Sequence, residues 1–282
     1  MKPILQICNQ VSAFALSAAL GALACPSHVA GADDEATPRQ AKAPRQAQSR
    51  NPRYEPEYEH RAFKGAAEGE LKYGWLAPLH VKAGEKYPLV VCLHGAGGSV
   101  RASAILARRE MREKYPSFVL VGECERPFVW AFADALKRPG LPEKAPEKLP
   151  VLIEAVRSLI ETEAVDPRRI YITGQSMGGM GGWGAIARHP EMFAAAVPIC
   201  GGWKVEDAPK MAAVPVWAFH GADDRSVPVR FSRELTAAIT RAGGTAKYTE
   251  YSGVGHDSWM KACDEPELWP WLFAQKKTAD PK

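Results

Sequence analysis

Gly174-Gln175-Ser176-Met177-Gly178 sets a serine between two glycines, directly after the apolar run Arg169–Thr173 and before a stretch, Met177–Arg188, that reads as a helix. A serine on such a strand-to-helix turn is lifted clear of the sheet edge, and the flanking glycines remove side chains that would collide there. The helix N-terminus also aims backbone N–H groups and partial positive charge at the same point. The motif alone is weak, since roughly one chain in ten of this length contains it by chance. Its partners therefore carry the argument.

An alcohol at its ordinary pKa is a poor nucleophile, so Ser176 requires a base, and that base an orienting acid. Downstream of Ser176 the histidines are His189, His220 and His256. His189, before Pro190, fits the end of a helix, and His220, opening His220-Gly221-Ala222-Asp223-Asp224, fits a turn after a strand. His256, in the glycine-rich stretch Gly253-Val254-Gly255-His256-Asp257, is the favoured base. The acid is expected between nucleophile and base in chain order. Asp224 is preferred over its neighbour Asp223, and Asp257 is too close to His256 in the chain to reach the far ring nitrogen. An oxyanion would be held by two backbone N–H groups: that of Met177, and one from His94-Gly95-Ala96-Gly97-Gly98, with Ala96 first choice and Gly97 second. Such a set points to acyl transfer.

These residues must be positioned by a sheet. Pro88–Leu93 and Ser117–Val121 are continuous apolar runs, as parallel strands buried on both faces require. Arg169–Thr173, Phe193–Ile199, Val214–Phe219 and Lys247–Tyr251 read as further strands, and Glu70–Leu76 as an early, half-exposed one. Leu149–Glu163 carries a helical apolar stripe; Val229–Arg241 and Glu265–Gln275 also read as helices. Strands alternating with helices imply a mostly parallel sheet covered on both faces, with ligands bound beyond the carboxyl ends of the strands.

Arg168 through Gly179 resembles the nucleophile region of the bacterial "predicted peptidase" group of α/β-hydrolases, esterases related to prolyl oligopeptidase catalytic domains, dienelactone hydrolases and polyhydroxybutyrate depolymerases. Leu93-His94-Gly95-Ala96-Gly97 resembles that group's oxyanion loop. Val216–Gly221 with Asp224, and Tyr251–Trp259, are similar to its acid and base segments. The resemblance spans about Glu70 to Gln275 and implies the α/β-hydrolase fold with Ser176, Asp224 and His256 as triad. Ser99–Lys114 departs from the group's pattern, which bears on substrate contacts.

The 282 residues carry 46% hydrophobic and 24% charged residues and a formal net charge of +4, ordinary for a globular domain and too small a charge to argue for nucleic acid. Lys2 followed by the apolar stretch Val11–Ala24 reads as a signal peptide, too short for a comfortable bilayer span. Residues 1–32 are expected to be the signal, cut after Ala30-Gly31-Ala32, with a cut after Ala24 as the other option. Lipid attachment at Cys25 is the lesser alternative. Residues 33–61 read as a flexible linker, 62–276 as the catalytic domain and 277–282 as a disordered tail. The expected location is secreted or periplasmic, without stable membrane insertion.

Cys92 and Cys200 fall in apolar runs, where a free thiol packs as a small hydrophobe. Disulfide pairing is not assignable from spacing, and no metal or cofactor is implied. The short gap between Ile199 and Val214 leaves no room for a large cap domain. That favours a small ester, or one projecting from a polymer. Trp130 and Trp203 are expected to wall the acyl pocket, together with the Pro/Lys-rich loop from Asp134 to Pro150. A peptidase of the prolyl-oligopeptidase type and a non-catalytic hydrolase-like binding protein are the alternative readings.

Overall fold

The computed structural model describes residues 58–66, 69–131 and 145–278. The chain divides into Met1–Ser49 and Arg50–Lys282, and every described residue lies in the second unit. The expected signal peptide (1–32), the linker up to residue 57 and the loop at 132–144 lie outside the described residues.

Eight strands form one sheet in the order β1-β2-β4-β3-β5-β6-β7-β8. They are β1 (Glu59–Lys64), β2 (Glu70–Leu76), β3 (Tyr87–Leu93), β4 (Phe118–Gly122), β5 (Val165–Gln175), β6 (Ala195–Ile199), β7 (Val216–Gly221) and β8 (Ala246–Tyr251). β1 and β2 pair antiparallel, as do β2 and β4; every pairing from β4 through β8 is parallel. The helices are α1 (Arg101–Leu106), α2 (Arg109–Lys114), α3 (Leu149–Thr162), α4 (Met177–Arg188), α5 (Ala208–Met211), α6 (Arg230–Arg241), α7 (Trp259–Ala262) and α8 (Leu268–Ala274).

β3 shows why its sequence is continuously apolar. Leu89, Val91 and Leu93 enter the core on one face, beneath α3, α4 and α6, while Val90 and Cys92 enter the core on the other, against α1 and α8. Side chains alternate across a strand, so a strand covered on both sides has no polar positions to offer. Between β6 and β7 stand only a 3-10 turn at Val205–Asp207 and α5, a connection too short to form a cap domain. No helix of the described residues is long and apolar enough to cross a membrane.

The structure differs from expectation at both ends of the domain. β1 begins at Glu59, so the last residues expected in the linker instead pair with β2, through His60 opposite Gly74 and Arg61 opposite Tyr73. The run was illegible because β1 is largely exposed and carries charge along its length. At the other end Lys277, expected in a disordered tail, donates its backbone N–H to Arg168 O (3.0 Å). Cys92, Cys124, Cys200 and Cys263 are all free thiols and all buried.

Candidate active site

β5 delivers Ser176 to the carboxyl edge of the sheet at φ 56°, a left-handed conformation that non-glycine residues avoid. The strained turn persists because its surroundings enforce it. Ser176 N–H donates to Ile199 O (2.9 Å), and the buried Gln175 side chain accepts from the Arg101 N–H at the start of α1 (3.1 Å). Gly178 lets α4 start directly on the end of β3, where a Cβ would stand 2.0 Å from Leu93 O. No side chain fits there.

Three side chains far apart in the chain meet at this turn. His256, on the loop between β8 and α7, has Nε2 2.8 Å from Ser176 Oγ and Nδ1 2.7 Å from Asp224 Oδ2. Asp224, after β7, also accepts the backbone N–H groups of Ser226 (2.7 Å) and Val227 (2.9 Å) on Oδ1. Burial pushes the Asp224 carboxyl up, but the hydrogen bonds from His256, Val227 and Ser226 outweigh it and leave the group below the ordinary carboxylate range. It is therefore an anion at neutral pH. Asp223 and Asp257, the acids set aside on sequence grounds, are exposed. His189 caps the C-terminal end of α4.

The Met177 N–H occupies the first turn of α4, where no intrahelical acceptor exists. The loop after β3 closes with Gly98 N–H on Gly95 O (3.0 Å), leaving Ala96 and Gly97 at the exposed centre of the turn. This loop runs hard against the serine: a Cβ at Gly95 would lie 3.3 Å from Ser176 Cβ.

Trp130 and Trp203 do not wall a pocket. Both are core side chains, at 0% and 2% exposure. Their indole N–H groups are engaged, Trp130 with His94 O (2.9 Å) and Trp203 with the Asp207 carboxylate (3.0 Å). The reason lies in α4, whose glycines admit the rings. A Cβ at Gly181 would stand 2.6 Å from Trp130 Cβ, and one at Gly184 2.9 Å from the Trp203 ring.

Two histidines have roles that the sequence reading missed. His220, expected in a turn, is the buried penultimate residue of β7. Its Nε2 lies 3.0 Å from Val227 O and 3.2 Å from Asp224 Oδ2, and its Nδ1 2.7 Å from Ser232 Oγ. A carbonyl only accepts, so Nε2 carries the proton and Nδ1 accepts from Ser232. Burial pushes its pKa down, consistent with the neutral ring. His94 faces Gly95 O with Nδ1 (2.7 Å) and accepts the Cys124 N–H on Nε2 (2.9 Å), tying the loop after β3 to the end of β4. The available signal was a His-Gly pair closing each apolar run: Leu93-His94-Gly95 and Phe219-His220-Gly221.

Cys200 Sγ, the Asp224 carboxylate and an His256 ring nitrogen lie within 4.8 Å of one another, a set with metal-ligand chemistry. Burial pushes the Cys200 thiol up to about 12, and Asp224 and His256 are already bonded to each other. A metal ion would have to deprotonate the thiol and break that bond, so these donors fit the hydrogen-bonded constellation better than a metal.

Among solved structures the chain is similar to a thermostable esterase, at 36% identity and a TM-score of 0.72 over 78% of this chain and 64% of that one. The parallel sheet, the strained serine turn and this likeness agree. The chain has the α/β-hydrolase fold. The model of the dienelactone hydrolase family matches residues 132–266, a span that holds Ser176, Asp224 and His256 but not the loop after β3. A probable carboxylesterase SOBER1-like protein of Arabidopsis thaliana is 26% identical over 132 residues, 39% of this chain and 49% of the plant protein. An uncharacterized secreted protein of Arthroderma benhamiae is 27% identical over 115 residues, 30% of this chain and 12% of the fungal protein. The chain thus spans half or less of those two relatives.

Proposed function

We propose that this protein cleaves carboxylic esters through an acyl-enzyme on Ser176. The reading is carried by the unbroken hydrogen-bonded line Asp224–His256–Ser176, at 2.7 and 2.8 Å. The likenesses to a thermostable esterase and to a probable carboxylesterase support an ester as the substrate.

His256 takes the Ser176 proton on Nε2 as Oγ attacks the ester carbonyl carbon. Asp224 fixes the ring with Nδ1–H toward itself and stabilises the imidazolium. The oxyanion is held by the N–H groups of Met177 and Ala96. Collapse expels the alcohol, which leaves with the proton from His256. Water then attacks the acyl-enzyme with the same base, releasing the acid and restoring the serine. No cofactor takes part, and the ester is small or projects from a larger molecule.

Ser176→Ala should lower kcat by about a million-fold, as in other Ser-His-Asp enzymes, and abolish labelling by a fluorophosphonate probe. A wild type that neither labels nor turns over p-nitrophenyl esters would sink the reading in favour of a non-catalytic binding protein. Faster turnover of proline-containing peptide amides than of short esters would favour a peptidase. The proposal includes export to the periplasm or medium with residues 1–32 as signal, which the N-terminal sequence of the mature protein tests.

A further inference from the structure

A cavity of about 700 Å³ opens beside the loop Ala96–Gly98, and the catalytic constellation does not account for it. Its walls come from the start of β1, from β2, from the end of β4 and the loop that follows, and from α1. All of these lie on one side of β5 in the sheet, whereas His256 arrives from beyond β8 on the other side. The loop that borders the cavity packs against Ser176 at Gly95, whereas the imidazole reaches the serine from the β8 side of the sheet.

That arrangement has a chemical consequence, provided the esterase reading above holds. The base hands its proton to the departing alcohol, so the alcohol portion leaves on the imidazole side. The acyl portion is directed away from it, across the loop whose Ala96 N–H faces the oxyanion. We infer that this cavity is the acyl subsite, and that it is built for a bulky, uncharged acyl group rather than for acetyl.

Size and lining both point there. Cavities of 300–1,000 Å³ hold ligands of drug size, far more than a methyl group needs. Small residues border the space: Ala104 and Ala107 of the α1 segment on one wall, and on the loop after β3 Gly97 and Gly98, where a Cβ would meet nothing within 4 Å. From Val100 to Ala107 that wall runs about 10 Å at helical rise. Tyr58 closes one end: its ring lies over Gly74, and its hydroxyl donates to Ser103 O (3.0 Å). The rim carries charge of both signs. Glu123 lies 4.0 Å from His60 and Glu125 3.4 Å from Lys72, with Arg126 alongside. Offsetting charges give no preference for an acyl group that is itself an anion or a cation.

The test compares kcat/KM for 4-nitrophenyl 3-phenylpropanoate and 4-nitrophenyl acetate in the wild type, Ala104→Leu and Ala104→Trp. Ala104 is exposed at the cavity, so the larger side chains enter open space. The wild type should favour the bulky ester by at least about tenfold, the scale set by a single methylene in an apolar pocket. The preference should shrink with Leu and vanish with Trp. Turnover of both esters with a ratio that Ala104→Trp leaves unchanged overturns the inference and spares the esterase reading. If neither ester is turned over, the esterase reading fails instead, and binding of 3-phenylpropanoate to Ser176→Ala by calorimetry judges the cavity. Binding abolished by adding Ala104→Trp supports the subsite; absent or indifferent binding overturns it.

Discussion

Replacing Asp224 with Asn removes one charge and almost no volume, yet the structure predicts a near-complete loss of activity. Each carboxylate oxygen faces two donors: Oδ1 those of Ser226 and Val227, at 2.7 and 2.9 Å, and Oδ2 those of His256 and His220, at 2.7 and 3.2 Å. An amide has one oxygen and one NH2, so its NH2 must meet two donors whichever way it turns. Facing Ser226 and Val227, it would leave two buried N–H groups unsatisfied, at about 1–3 kcal/mol each. Facing His256 is cheaper, because an imidazole can exchange tautomers. Nδ1 then becomes the acceptor and Nε2 carries the proton, and a protonated Nε2 cannot accept from Ser176. The same exchange in another Ser-His-Asp enzyme costs about 10⁴ in kcat, or roughly 5.5 kcal/mol of transition-state stabilisation. The assay is kcat on a p-nitrophenyl ester together with the rate of fluorophosphonate labelling, both of which should fall in parallel. Asp223→Asn, at an exposed neighbour, is the control and should stay near wild type. A folded Asp224→Asn protein retaining more than about 1% of wild-type kcat would refute this reasoning.

Two further predictions concern stability. Gly178→Ala should destabilise the fold by more than about 3 kcal/mol in urea unfolding, because its methyl group would sit 2.0 Å from Leu93 O at the point where α4 meets β3; a loss below 1 kcal/mol would mean that the helix start can shift. For His220, burial holds the folded pKa below the ordinary 6.5. Its contribution is therefore complete above pH 6.5 and is lost as pH falls through the folded value, where the unfolded chain binds the extra proton. The unfolding free energy of the wild type should drop more steeply below pH 6.5 than that of His220→Gln, and equal slopes would count against the assignment.

Much of the site was legible because its chemistry constrains residue type and order. A nucleophile turn needs glycines around Ser176, and its base and acid follow in a fixed order on loops after strands. Chain order puts both Asp223 and Asp224 where an acid is expected; the structure turns Asp224 toward His256 and leaves Asp223 exposed. The strands of the parallel sheet were equally visible, since burial on both faces demands unbroken apolar runs such as Pro88–Leu93. β1 was not visible: an exposed edge strand has no such demand, and its charges read as linker.

What the sequence determined, then, is the order of elements and the residues that can react, since both follow from local composition and spacing. Only the tertiary structure decided where each aromatic and imidazole ring points. Trp130 and Trp203 could face a substrate or a core on any sequence criterion; the bare face that α4 offers at Gly181 and Gly184 draws them inward. His220 could occupy a turn or a strand; contact with Val227, Ser232 and Asp224, distant in the chain or across a loop, makes it a buried support of the acid. Side-chain direction depends on the space that other segments leave open, and that space exists only once the chain has folded.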